Sequence, residues 1–138
     1  MAEKISVWAE DAPSPFGHFS QAIKMDDMIY ISGQLPLDAK NGKPIGGSVE
    51  DQARQVLDNL TAVLQSTGGQ MGMVLKTTLY LTDLRDFPTY DKISKDYFFF
   101  TPPAQTTIVV SALPGGSKIC LDAVAKFSEI DAQGKSMI

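Results

Sequence analysis

The chain has 138 residues and a mass of 15.0 kDa, with 43% hydrophobic and 20% charged residues, so we expect one globular domain over residues 1–138. Twelve basic against 16 acidic residues give a net charge of −4, which argues against nucleic-acid binding, because such domains usually carry a basic excess. No apolar run is long enough to cross a membrane, and one histidine and one cysteine leave too few ligands for a zinc site. The single cysteine cannot form an internal disulfide and the first residues lack an apolar signal core, so we predict a cytoplasmic protein. Because histidine and cysteine are so few, we also predict that it binds no metal.

The first third of the chain predicts three strands followed by a long loop. Residues 4–9, 19–24 and 28–32 have the composition of strands. A turn at residues 25–27 would make the second and third strands a hairpin, and Gly33 is expected to end it. Residues 35–47 contain two prolines and three glycines, which predicts a loop.

The first helix is predicted between Ser48 and the glycine pair at residues 68–69. Ser48 is a suitable N-cap, and Asp51 three residues later gives a weak capping box. Apolar residues then recur at helical spacing and form one stripe: Val49, Ala53, Val56, Leu57, Leu60, Val63 and Leu64. The glycine pair is typical of a helix C-terminus.

A strand and a second helix follow. Residues 74–82 are rich in Thr, Leu and Val, which favour a strand. Asp86 is expected to cap the helix, with Pro88 in its first turn. Its apolar positions are Phe87, Tyr90, Ile93 and Tyr97. The prolines at residues 102–103 are expected to stop it.

Two strands complete the chain and are predicted to form a hairpin. Residues 105–112 and 118–129 are separated by a turn at residues 113–116. The element order β-β-β-α-β-α-β-β is typical of an α+β fold with one mixed sheet and both helices on one face. Because residues 108–112 are mostly apolar, both sides of that strand should be buried, and two helices cannot cover two faces. We therefore expect a closed homo-oligomer.

Two polar residues in this apolar region are the strongest candidates for chemistry. Gln105 follows a pair of prolines and opens an apolar strand. Asp122 lies on the neighbouring strand of the expected hairpin and shares its face with Lys118 and Lys126. A carboxylate in such a place is paired, hydrogen-bonded or exposed to a wet cavity. A solvated pair at a sheet edge is the alternative interpretation.

Eight short motifs occur in order over about residues 5–128: GHFSQA (17–22), ISGQLP (31–36), QARQVLDNL (52–60), KTT (76–78), DLRDF (83–87), PAQTT (103–107), ALP (112–114) and LDAVA (121–125). Together they resemble the RidA/YjgF family, also called the L-PSP endoribonuclease or reactive intermediate deaminase family. The resemblance implies a chorismate-mutase-like α+β fold and a homotrimer with active sites in clefts between subunits. It also implies hydrolysis of enamine or imine products of amino-acid dehydratases to 2-oxo acids and ammonia, with no metal or cofactor.

The resemblance also implies site residues, and this sequence departs from the family at several of them. In the family, an arginine binds the substrate carboxylate, and this sequence has Gln105 in its place. A glutamate of the family positions the attacking water, and this sequence has the shorter Asp122 there. The tyrosine of the pocket is replaced by Phe19, and an asparagine early in the second helix by Asp91. The other expected substrate-binding positions are kept: Ser32, Gly33 and Thr107.

The sequence therefore predicts a RidA-like deaminase with Asp122 and Gln105 as catalytic residues. Its activity is expected to be weak or altered, since Gln105 cannot form the ion pair of an arginine. A non-catalytic trimer that binds a small molecule or a protein is the first alternative. An L-PSP-type endoribonuclease is the second, and the charge of −4 weighs against it. The expected partners are a small molecule and other copies of this chain.

Overall fold

The computed structural model describes residues 3–127, which form a six-stranded mixed sheet and two helices. The strands are β1 (Ile5–Val7), β2 (Ala22–Met25), β3 (Met28–Gln34), β4 (Val74–Leu81), β5 (Ala104–Val109) and β6 (Ile119–Lys126). The helices are α1 (Val49–Ser66) and α2 (Phe87–Ser94). The predicted α+β class and the order of elements are confirmed.

The strands lie in the order β1-β2-β3-β6-β4-β5, with β5 parallel to β4 and the other neighbours antiparallel. The β2–β3 hairpin is confirmed, and Asp26 takes the left-handed turn conformation with φ 53°. The predicted β5–β6 hairpin is wrong, because β6 inserts between β3 and β4. The connection at residues 110–118 crosses the end of β4: Val110 donates to the carbonyl of Leu81, and Thr82 donates to that of Lys118.

Both helices pack on one face of the sheet, as predicted. The apolar stripe of α1 is buried against the inward residues of the strands, with Leu57, Leu60, Leu79 and Leu121 all fully buried. Burial of such side chains contributes roughly 1.5–3 kcal/mol each. Ser48 caps α1 as expected, because its hydroxyl accepts a hydrogen bond from the backbone N–H three residues later.

Several predicted boundaries are wrong. β3 continues through Gly33 to Gln34, since an irregularity in its pairing with β6 absorbs the change of direction. Asp86 does not cap α2 with its side chain, because its backbone is already helical; the extended Asp83 instead caps the 3-10 turn before the helix. The helix ends at Ser94, before Tyr97. Residues 128–129, at the predicted end of the last strand, lie outside the described residues.

The second face of the sheet is open in the single chain. Tyr30 on β3 is 50% exposed and Ile108 on β5 is 40% exposed. Every residue of β5 is exposed in the single chain, so the expected burial of both its sides depends on packing against another copy and stays a prediction. β5 is an edge strand, with a neighbouring strand on one side only. The closed homo-oligomer stays a prediction.

Asn59 on α1 holds the loop that follows β3. It is 1% exposed, and its Nδ2 donates to the carbonyls of Leu35 and Leu37, each at 3.0 Å. We expect Asn59→Ala to lower the free energy of unfolding by about 2–4 kcal/mol, because two buried carbonyls lose their donor. Urea denaturation at one fixed protein concentration measures this change, with Gln65→Ala at an exposed position of α1 as the control. A loss no larger than that of the control would contradict this role.

Candidate active site

Asp122 lies on β6 and is directed to the open face of the sheet, where it is half-buried. Its carboxylate accepts hydrogen bonds from the backbone N–H of Thr78 and from the hydroxyl of Tyr80, each at 3.2 Å. Burial, followed by the charge of Asp122, raises the pKa of Tyr80, so this hydroxyl stays protonated at neutral pH. A carboxylate offers about four acceptor positions, so about two remain to hold a water molecule. Sequence reasoning missed Tyr80, although the alternation of β4 places it on the face of Thr78.

Cys120 lies between Asp122 and the bend at Gly33. A Cβ atom on Gly33 would lie 2.8 Å from Cys120 Sγ, so this close approach requires glycine. Cys120 is 8% exposed. Burial, followed by the charge of Asp122, raises the pKa of its thiol to about 12. The thiol is therefore neutral at physiological pH and serves as a packing group.

We expect the Cys120 thiol to react with a disulfide reagent about a thousandfold more slowly in the native protein than in urea, at a pH of about 8. A pKa raised to about 12 leaves little thiolate at that pH, and the thiolate is the reacting form. The native rate should rise with pH towards the raised pKa. Absorbance of the released thiolate gives both rates. Equal rates in the native and unfolded protein would contradict the burial of Cys120.

Three predicted substrate-binding residues lie together. Phe19, Ser32 and Gly33 line a narrow cavity of about 20 Å³, which has room for about one water molecule. The hydroxyl of Ser32 donates to the carbonyl of Ser20 at 2.7 Å, and Phe19 packs edge-on against Phe16 with ring centroids 5.2 Å apart. Gly33 connects this cavity to Cys120 and so to the Asp122 region.

The other predicted residues form a second group at the edge of the sheet. The Gln105 Oε1 atom accepts a hydrogen bond from the Thr77 hydroxyl at 3.4 Å, and its Nε2 atom donates to the Thr107 hydroxyl at 3.2 Å. Gln105 and Asp91 line one open cleft of about 430 Å³. Further walls of this cleft come from residues that sequence reasoning did not assign to the site: Lys95, Phe98, Phe99 and Phe100. The only early signal for them was the unusual run of aromatic residues before the prolines.

The two predicted catalytic residues point to opposite faces of the sheet. Gln105 pairs with Thr77 of β4, and Asp122 pairs with Thr78, the next residue of the same strand. Because side chains alternate along a strand, the two pairs face opposite sides. Thr77 is fully buried under the helices, whereas the Asp122 side is open. The expectation that a hairpin brings Gln105 and Asp122 together is therefore wrong within one chain.

The polar groups of the site are carboxylates, hydroxyls, an amide and one ammonium group. Within residues 3–127, no cluster of three or more His, Cys, Asp or Glu side chains is arranged to hold a metal ion. His18 is exposed. In the same part of the chain, none of the helices combines the length and the apolar character that a membrane crossing requires. The groups present are suited to hydrogen bonding and to proton transfer.

Comparison with known proteins gives a consistent set of relatives. A family model described as Endoribonuclease L-PSP matches residues 9–127. The 2-iminobutanoate/2-iminopropanoate deaminase of Mus musculus is 42% identical over 114 residues, which cover 83% of this chain and 84% of that protein. A RutC family protein of Pyrococcus horikoshii is 40% identical over 119 residues, which cover 86% of this chain and 94% of the relative.

Solved structures of similar proteins share the fold. Escherichia coli TdcF, solved with bound serine, has a TM-score of 0.84 at 31% identity, over 90% of this chain and 99% of its own. RidA from a Psychrobacter species has a TM-score of 0.86 at 31% identity, over 89% of this chain and 99% of its own. Motifs, family match and fold agree, and the chain belongs to the Endoribonuclease L-PSP family, which is the RidA/YjgF family that its motifs resemble.

Proposed function

We propose that this protein is a homotrimeric deaminase that hydrolyses imines or enamines derived from amino acids to 2-oxo products and ammonia. Its membership of the family and its relatives named 2-iminobutanoate/2-iminopropanoate deaminase support the reaction class. The hydrogen-bonded carboxylate of Asp122 on an open face supplies a group that can hold and activate a water molecule.

One observation carries the proposed assembly: Asp122 and Gln105 lie on opposite faces of the sheet. A substrate that contacts both must therefore lie between two copies of the chain. The open face also exposes Tyr30 and Ile108, which a second copy would bury. In a closed ring of three, the Gln105 edge of one copy would meet the Asp122 face of the next.

In this site, Asp122 orients the water and takes one of its protons as the new C–O bond forms. The π electrons of the imine move onto nitrogen, which receives that same proton from Asp122, and a neutral carbinolamine results with Asp122 ionised again. Transfer of the hydroxyl proton to the amine then breaks the C–N bond, forms the C=O bond and releases ammonia. Gln105 of the neighbouring copy holds the acyl group of the substrate through its amide.

The same residues account for weak activity on 2-imino carboxylates. A hydrogen bond to a charged group contributes about 1.5–3 kcal/mol, against about 1 kcal/mol for a neutral pair. Gln105 offers a neutral amide where the family resemblance implies a guanidinium, so binding of a carboxylate loses its ion pair. Phe19 similarly offers no hydroxyl to the pocket.

Sedimentation equilibrium should give a particle of about three times 15.0 kDa at micromolar concentration. The expected cause is burial of the open sheet face and of β5, both of which are exposed in a single chain. A stable, well-folded monomer at that concentration would contradict both the trimer and a site shared between copies.

The reaction itself is tested with freshly generated 2-iminobutanoate, by following formation of 2-oxobutanoate and ammonia above the spontaneous rate. The matched control for substitutions of Asp122 is Asp96→Asn, because Asp96 is an exposed carboxylate paired with Arg54. Parallel incubation with RNA and a thermal-shift screen against metabolites test the alternatives. Cleavage of RNA, or ligand binding with no acceleration of imine hydrolysis, would contradict the proposal.

A further inference from the structure

The side-chain amide of Gln105 offers a ligand one donor and one acceptor. One of its two N–H groups donates to Thr107, and one of the two lone pairs on its oxygen accepts from Thr77. A carboxylate has only acceptor atoms, so it would satisfy the free N–H and face the free lone pair with another negative oxygen. A carboxamide carries both a donor and an acceptor and would satisfy the two free positions.

The charges around Gln105 do not favour an anion. Asp91 and Lys95 both line the cleft and contribute one charge of each sign. In the proposed site between copies, the open face of the neighbouring copy brings both Asp122 and Lys76, again one charge of each sign. The Lys76 Nζ atom donates to the Thr106 hydroxyl on that face at 3.0 Å. A carboxylate entering this cleft would therefore lose hydration without meeting a net positive charge.

The same cleft has an aromatic rim. Phe99 and Phe100 are 77% and 74% exposed, and both line the cleft beside Gln105. Aromatic side chains bury a large apolar area against a ligand, so this rim favours a substrate with an apolar substituent.

We infer that the cleft beside Gln105 selects imines and enamines whose acyl group is an uncharged carboxamide with an apolar substituent, in preference to 2-imino carboxylates. For turnover, this inference rests on the proposed deaminase function. For binding it stands alone, because it depends only on the free donor and acceptor of Gln105, the balanced charges and the aromatic rim.

The test compares binding and turnover. Binding of 2-oxobutanamide, 4-methyl-2-oxopentanamide and 2-oxobutanoate to the purified protein is measured by NMR titration. Hydrolysis of the imines made by oxidation of 2-aminobutanamide and 2-aminobutanoate is followed by ammonia release. We expect 2-oxobutanamide to bind at least tenfold more tightly than 2-oxobutanoate, and the larger amide several-fold more tightly again. The imine of the amide should show the same preference in kcat/KM.

Two variants locate the selectivity. Gln105→Arg should reverse the preference in favour of 2-oxobutanoate. Gln65→Arg adds the same charge at an exposed position of α1 and should leave the preference unchanged.

The outcomes separate this inference from the proposed function. Preferential binding of the amides without turnover of either imine supports the inference and defeats the deaminase proposal. Turnover of both imines with equal or better use of the carboxylate defeats the inference and leaves the deaminase proposal standing. Failure to bind either amide defeats the inference as well.

Discussion

Replacing Gln105 by arginine should raise kcat/KM for 2-iminobutanoate by about ten- to a hundredfold. A guanidinium is permanently charged and planar, so it can bind a carboxylate through two parallel hydrogen bonds, which a glutamine amide cannot do. The open cleft at Gln105 has room for the longer side chain, since its volume is about 430 Å³. Initial rates of 2-oxobutanoate formation by the two proteins give the comparison.

The gain should depend on the position of the new charge. Gln65→Arg adds a positive charge on α1 and should leave kcat/KM unchanged within about twofold. Adding Phe19→Tyr and Asp122→Glu to Gln105→Arg should help further, because they restore the other groups that the family resemblance implies. If this triple variant folds as a trimer and stays inactive, while the original protein binds a ligand without turnover, the deaminase assignment is wrong and the cleft serves binding.

Asp122→Asn should lower kcat for the preferred imine by about 10²- to 10⁴-fold, the usual contribution of an acid–base group. The amide oxygen can replace Oδ1 and accept from the Thr78 backbone N–H, while the amide nitrogen in the place of Oδ2 can donate to the Tyr80 oxygen, so the local structure should persist. The amide cannot take a proton from water at neutral pH. Measured kcat, with circular dichroism and urea denaturation of the same samples, separates catalysis from folding.

Asp96→Asn is the control for this loss, because Asp96 is an exposed carboxylate whose partner is Arg54. It should keep activity within about twofold and stability within about 0.5 kcal/mol. Unchanged kcat in Asp122→Asn would remove Asp122 from the reaction. A loss of several kcal/mol of stability would instead identify Asp122 as a structural carboxylate.

Local patterns predicted the elements of the fold, and long-range pairing explains what they missed. The start of α1 at Ser48 and the β2–β3 hairpin depend on a few adjacent residues, and both are confirmed. The position of β6 between β3 and β4 depends on contacts between residues far apart in the chain, which periodicity does not encode. The expected β5–β6 hairpin was wrong for that reason.

The candidate site shows the same division. Ser32 and Gly33 lie near Phe19 because the β2–β3 hairpin brings adjacent segments together. A hairpin can be predicted from neighbouring residues, so the sequence alone could place these three residues close together. The faces of Gln105 and Asp122 follow from the register of both strands against β4. Strand alternation alone predicts which residues share a face with Asp122, but not which face lies under the helices.

Mixed trimers test most directly whether each site combines residue 105 of one copy with residue 122 of another. Original chains and Gln105→Arg/Asp122→Asn chains are refolded together in equal amounts, and hydrolysis of 2-iminobutanoate is measured. Random assembly places the substituted position 105 opposite an intact Asp122 in about one quarter of the sites, so activity should reach about a quarter of that of the Gln105→Arg trimer. Activity equal to the mean of the two parent proteins, which are expected to be weak and inactive, would contradict a site shared between copies.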